Sequence, residues 1–150
     1  MMSGSSVSND PSGDSILIVD SWGVLEWVYR NEPAMSKFRS RLDAASRGDL
    51  RLIASRIALG EITYNIRGKQ LRGEIPNTPF HGSALPRTVE LVDDALVDEA
   101  ADLKSQYPIS YADAFVAALA IRYKAPVLTG DPDFRRLAAK GVVDVDWIGA

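Results

Sequence analysis

Four carboxylates in this chain stand where carboxylates can do chemistry: Asp20, Glu61, Asp113 and Asp131. Acids gathered at short range repel one another, and some of them hold protons unless a cation neutralises the group. An all-oxygen site without histidine suits Mg²⁺ or Mn²⁺. Such an ion can polarise a phosphate oxygen, activate a water and stabilise the oxygen that leaves. Hydrolysis of a phosphodiester is the reaction that most needs all three.

Other chemistries are closed off by composition. The chain has 0 cysteines, which removes thiol nucleophiles, disulfide frameworks and cysteine zinc sites. It has 1 histidine, His81, so neither a three-histidine nor a His-Glu-His zinc site can be built, and a Ser-His-Asp triad would depend on that one residue. His81 lies among Pro79, Gly82 and Pro86 and reads as a loop residue. An aspartyl phosphatase would place a second acid two residues after Asp20, where Trp22 stands, and no glycine-rich phosphate loop is present. Net charge is −3, from 17 basic and 20 acidic residues. Setting the four acids aside leaves 17 against 16, so charge does not decide between nucleic-acid binding and its absence.

The acids need elements to carry them. With 150 residues, 46% hydrophobic and 25% charged, the chain has the size and composition of one globular domain. Residues 1–14 are rich in Ser, Gly and Asn and are expected to be a disordered tail, leaving 15–150 as a single domain. The apolar runs are too short to span a membrane, and the start of the chain lacks the pattern of a signal peptide. A cytoplasmic location is expected, in keeping with the absence of cysteine.

Ile16–Asp20 reads as a buried parallel strand ending in an acid. Ser21 is expected to cap a helix from Trp22 to Arg30, and Pro33 to begin a second helix reaching about Ala45. Leu50–Ala54 is a strand, and Ser55 caps a third helix with an apolar stripe of Leu59, Ile62 and Ile66. Ile75 to Pro86 reads as a long loop, followed by a strand over Thr88–Val92. A helix over Asp94–Gln106 is stopped by Tyr107-Pro108, and Ser110 caps a helix to about Tyr123. A strand over Pro126–Thr129, a helix opened by Asp131-Pro132 and ended by Gly141, and an edge strand over Val143–Ile148 complete the pattern. The alternation predicts an α/β fold, a three-layer α/β/α sandwich around a mostly parallel sheet. Ligands of such sheets bind at the carboxyl ends of the strands, which is where Asp20 and Asp131 fall.

Taken singly, each acid also has a structural explanation. Asp113 follows Ser110 with capping-box spacing. Asp131 before Pro132 suits a helix N-cap. Asp20 can serve the helix that follows it, and Glu61, flanking the core stripe with Ala58 and Asn65, can make a surface salt bridge. The case for a site rests on their convergence.

Four stretches carry a family resemblance: Ile18-Val19-Asp20-Ser21; Ala54-Ser55 with Leu59-Gly60-Glu61; Ser110-Tyr111-Ala112-Asp113 continuing to Ala120; and Val127-Leu128-Thr129-Gly130-Asp131-Pro132-Asp133-Phe134. The chain resembles the PIN-domain ribonucleases, and among them the VapC-type toxins of toxin–antitoxin pairs, over nearly all of 16–148. The resemblance implies a PIN-like fold with a five-stranded parallel sheet, a homodimer, an antitoxin partner inserted near the acids, and endonucleolytic cleavage of RNA with Mg²⁺ or Mn²⁺. Carried over by position, Asp20, Glu61, Asp113 and Asp131 match the family's catalytic and metal-binding quartet. Asp133 matches an accessory metal-binding acid, and Ser21 and Thr129 match residues that orient the site.

The chain departs from the family at the proline-rich stretch from Gly73 to Pro86 and at Trp22 and Trp27, for which core packing or an interface is expected. Arg56, Arg67, Lys69 and Arg72 are candidate RNA phosphate ligands or a solvated helix face, and Arg135 and Arg136 share that ambiguity. The competing function is a catalytically inactive PIN-like binding module that acts through a protein partner.

Overall fold

The structure is a computed structural model that describes residues 8–9, 15–78 and 85–150. In chain order it contains β1 (Ser8–Asn9), β2 (Ser15–Val19), α1 (Ser21–Val28), α2 (Ala34–Ser46), β3 (Leu50–Ser55), α3 (Arg56–Leu71), β4 (Arg87–Glu90), α4 (Asp94–Gln106), α5 (Tyr111–Tyr123), β5 (Val127–Thr129), α6 (Pro132–Ala139) and β6 (Val145–Trp147). Five strands form a parallel sheet in the order β4-β3-β2-β5-β6, and β1 pairs antiparallel with the start of β2. The expected PIN-like α/β/α arrangement is therefore observed.

Strand periodicity divides the core in two. Alternate residues point to opposite faces. Ile16 and Ile18 of β2 join Ile53 and Val127 under α4, α5 and α6, whereas Leu17 and Val19 join Leu52, Ala54 and Leu128 under α1, α2 and α3. Helix α5 is apolar almost all round, and 113–120 are all buried. Its alanines at 114, 117, 118 and 120 let it lie close to the sheet, and trimming Leu119, fully buried beside them, would cost about 2–5 kcal/mol.

The chain leaves β2 for β3 on one side and later returns to place β5 on the other. Where such an order switches direction, the loops after the two strands part and leave a crevice at the carboxyl edge. Here these are the loops after β2 and β5, which carry Asp20 and Asp131.

Several boundaries differ from the sequence reading for local reasons. Asp20, not Ser21, occupies the cap position of α1, and Ser21 is the first helical residue. Pro33 sits at the cap of α2 after a cis Glu32–Pro33 bond, so the helix begins at Ala34. The fourth strand begins at Arg87 and ends at Glu90, and β6 covers only Val145–Trp147. Within the stretch read as a tail, Ser8 and Asn9 pair with Ile16 and Ser15; the rest of 1–14 lies outside the described residues. So do His81 and most of the second half of the Ile75–Pro86 loop.

Candidate active site

Asp20 follows the last residue of β2, and its side chain is 1% exposed. It makes no side-chain cap to α1, which leaves its carboxylate free for other partners. One of these is Thr129, the last residue of β5, whose Oγ1 donates to Asp20 Oδ2 at 2.7 Å. The same Oγ1 accepts from the Asp131 backbone N–H at 3.0 Å. A single buried hydroxyl thus joins the loops after β2 and β5.

Asp131 caps α6, with Oδ1 accepting from the Asp133 N–H at 2.9 Å. Pro132 next to it has no N–H to satisfy, so the Asp-Pro pair sets the helix start locally. Asp113 lies in the first turn of α5, where Ser110 Oγ accepts its N–H at 3.1 Å. The predicted caps by Ser55, Ser110 and Asp131 are all present.

Glu61 projects from α3 and takes a short hydrogen bond from the Ser21 hydroxyl. The surface salt bridge considered for Glu61 is not formed among the described residues. Ser21 serves a side chain 40 residues away instead of its own helix.

Carboxylate oxygens of Asp113, Asp131 and Asp133 lie within 4.8 Å of one another. Asp20 and Glu61 stand outside that tight set but within electrostatic reach of Asp113. Asp133 also takes a very short ion pair from Arg136. Burial pushes the Asp20 carboxyl well above the ordinary carboxylate range; the Thr129 hydrogen bond opposes this, and Asp113, Asp131 and Glu61 reinforce it. Asp113 is pushed up to about 7, first by burial and then by the charges of Asp131 and Glu61. The crowded, all-oxygen set fits a divalent cation such as Mg²⁺ or Mn²⁺, because a nearby positive charge relieves the repulsion that raises these acids.

The basic residues of α3 do not form one patch. Arg56 and Arg67 line a shallow groove of about 660 Å³ with Gly60, Tyr64 and Leu71. Lys69 places its ammonium 4.5 Å over the Tyr29 ring, and Arg72 pairs with Glu74 at 2.6 Å. Arg135 stacks on the Trp147 ring at 3.6 Å. Trp22 and Trp27 both pack against the core beneath α1 and α2, Trp27 at 5.9 Å from the Phe38 ring.

Sequence reasoning reached Ser21 and Thr129 only through resemblance. Their partners, Glu61 and Asp20, lie 40 and 109 residues away, beyond any local pattern. The available signal was adjacency, a small hydroxyl next to or two residues from an acid in Asp20-Ser21 and Thr129-Gly130-Asp131.

The model of the PIN domain family matches residues 17–140. The chain belongs to the PIN domain family. Solved structures with the same fold include a toxin–antitoxin complex from Klebsiella pneumoniae, at 16% identity and TM-score 0.56, covering 79% of this chain and 89% of that one. VapBC2 from Rickettsia felis, solved bound to a DNA fragment from their promoter, matches at 13% identity and TM-score 0.62, covering 87% and 97%. FitAcB from Neisseria gonorrhoeae matches at 19% identity and TM-score 0.53, covering 87% and 95%. At these identities the likeness to this PIN domain is one of fold. Curated proteins contain no match to the chain.

Proposed function

We propose that this PIN domain is a metal-dependent endoribonuclease and the toxin of a toxin–antitoxin pair. The observation that carries the reading is the approach of the Asp113, Asp131 and Asp133 carboxylates to within 4.8 Å, with Asp20 and Glu61 beside them. In this reading Asp20, Glu61, Asp113 and Asp131 are the catalytic and metal-binding acids, Asp133 is an accessory ligand, and Ser21 and Thr129 orient Glu61 and Asp20. Mg²⁺ or Mn²⁺ held there supplies charge neutralisation for a phosphodiester and acidifies water.

The chain's own part is to hold and aim. Thr129 spends its proton on Asp20, which fixes the oxygen that faces it and leaves the other carboxylate oxygen to point elsewhere. Asp131 uses Oδ1 to cap α6, and so has Oδ2 for the centre of the cluster. Ser21 holds Glu61 by one oxygen in the same way. Without a cation, burial and the neighbouring acids push Asp113 up to about 7, and a bound cation would favour its ionised, ligating form.

The substrate and partners extend the same reading. Arg56 and Arg67 lie to one side of the Ile57, Tyr64 and Leu71 line on α3, so a dimer through that line would leave them at its rim, where RNA phosphates would meet them, with Lys69 and Arg72 further along that helix. The structural neighbours that come from toxin–antitoxin complexes support an antitoxin partner. A homodimer is supported by the outer face of α3, which presents Ile57, Tyr64 and Leu71 at steps of seven, with Tyr64 64% and Leu71 89% exposed. No helix among the described residues is long and apolar enough to cross a membrane, and the proposed setting is the cytoplasm.

The test is cleavage of structured RNA with Mg²⁺ or Mn²⁺ by the wild type and by Asp113→Asn. Loss of cleavage in the variant is expected; equal cleavage by both proteins would show that the site lies elsewhere. An inactive binding module is the second reading. Calorimetric titration separates the two, because a degenerate site shows no Mn²⁺ binding in the micromolar-to-millimolar range.

A further inference from the structure

Trp22 stands two residues after Asp20, but its indole leaves its own helix and lies on the opposite half of the site. A Cβ added to Gly130 would stand 2.5 Å from Trp22 Cζ3, closer still to Cη2, and 2.9 Å from the Gly149 Cα. Gly130 has no positive φ, so its backbone conformation does not demand glycine; the space does. It is the residue between Thr129, which holds Asp20, and Asp131. Behind it Gly149 is pressed in turn against the Trp147 ring, where an added Cβ would stand 2.9 Å from Cζ2. Arg135 of α6 lies over the Trp147 ring at 3.6 Å.

The contacts therefore run in one stack: Trp22, Gly130, Gly149, Trp147, Arg135. Its first member is rooted beside Asp20 and Ser21, and its last on the helix that Asp131 caps. The Thr129–Asp20 hydrogen bond fixes one point between the two loops, and about one point the loops can still pivot. The indole on Gly130 supplies a second point of contact and removes most of that freedom. Aromatic rings hold such positions well because they are broad and have few rotatable bonds.

We propose that Trp22 is a positioning residue: by packing on Gly130 it fixes the loop carrying Thr129 and Asp131 against the loop carrying Asp20 and Ser21, and so sets the spacing of the carboxylates. The inference rests on the reading of these acids as a cation site. It also accounts for a bulky residue at a position where a smaller one would leave the second loop unsupported.

The experiment measures Mn²⁺ affinity by calorimetry, with thermal unfolding recorded for each protein, for the wild type, Gly130→Ala, Trp22→Leu, Trp22→Phe and the double variant Gly130→Ala/Trp22→Leu. Gly130→Ala should weaken Mn²⁺ binding by about 10-fold or more, as loss of a supporting contact around a metal site does. Trimming the ring in the double variant should recover most of that loss, because the methyl group then has room. Trp22→Phe, which keeps an aromatic ring but loses the indole's far edge, should weaken binding by a smaller factor with little change in unfolding temperature. A Gly130→Ala protein that binds Mn²⁺ as the wild type does, or single losses that simply add in the double variant, would overturn the proposal. If Gly130→Ala does not fold, undiminished binding by Trp22→Phe overturns it alone. Failure of the wild type itself to bind Mn²⁺ is a different result, and it sinks the cation-site reading on which the proposal stands.

Discussion

Thr129 Oγ1 lies 2.7 Å from Asp20 Oδ2 and 3.0 Å from the Asp131 backbone nitrogen, so one buried hydroxyl donates to the first acid and accepts from the residue of another. Both groups are at the carboxyl edge of neighbouring parallel strands. The bond also favours the ionised form of Asp20 against the burial that opposes it.

Replacing Thr129 by valine keeps the shape and removes the hydroxyl. Asp20 then loses its donor, and its carboxyl should rise further. Mn²⁺ affinity should fall by about 10- to 100-fold. Folding stability should drop by about 2 kcal/mol, because the hydroxyl makes two hydrogen bonds and each is ordinarily worth about 1 kcal/mol net. Thr129→Ser, which restores the donor, should recover affinity. Calorimetry and chemical denaturation of the three proteins check this, and a valine variant with wild-type affinity would remove Thr129 from the site.

Asp113 has a raised carboxyl, about 7 in the folded protein against an ordinary value of 3.8. The folded state therefore holds this proton over a range in which the unfolded chain has released it. In the absence of divalent cations, the contribution of Asp113 to stability is present at about pH 4 and declines as pH rises to about 7. Unfolding in EDTA across this window should show stability falling with pH, and Asp113→Asn should flatten much of that slope. Equal slopes for the wild type and Asp113→Asn across this window would contradict the raised carboxyl.

The same linkage predicts how a cation acts on the fold. An ion that binds ionised carboxylates competes with protons. Mn²⁺ should raise the unfolding temperature more at pH 8 than at pH 5, and EDTA should cancel the increase. Melting curves at the two pH values decide it; equal shifts would mean that the ion binds away from Asp20 and Asp113.

The proposed homodimer can be tested through a chain that has no cysteine of its own. Two copies of α3 running antiparallel about Tyr64 place Ile57 opposite Leu71 and Gly60 opposite Gly68, an isologous pairing. Tyr64→Cys should then form a disulfide-linked dimer with itself under mild oxidation. Ile57→Cys should do so only when mixed with Leu71→Cys. Sedimentation separates the possible failures: a monomer sinks the homodimer, whereas a dimer without the Tyr64→Cys bridge means another face.

Much of this architecture was legible where the determining chemistry is local. Ser55, Ser110 and Asp131 cap their helices through partners two or three residues on, so spacing alone reveals them. The end of α4 at Gln106 follows from Pro108, which pushes Tyr107 to an extended conformation. The alternation of Ile16, Leu17, Ile18 and Val19 between two cores is a property of the strand itself. What escaped depends on distant partners. Ser21 looked like a cap because Asp-Ser before a helix usually is one; only the fold brings Glu61 to it. The α3 cations, candidates for phosphate binding or a solvated face, take partners that spacing does not show: Lys69 lies over the Tyr29 ring, Arg72 pairs with Glu74, and Arg56 and Arg67 line a groove with Tyr64. For the acids, capping and clustering proved compatible, as Asp131 caps α6 and also stands in the cluster.

The bond between Thr129 and Asp20 spans 109 residues. Contacts over such distances raise the contact order of a fold and slow its folding, because the entropy cost of closure comes before its reward. During synthesis the strand that carries Asp20 emerges ahead of the one that carries Thr129, with 109 residues between the two partners. A nascent chain therefore has every helix through α5 available before it has a partner for its first acid. The full set of four acids can meet only once β5 has docked beside β2, because Asp131 follows β5.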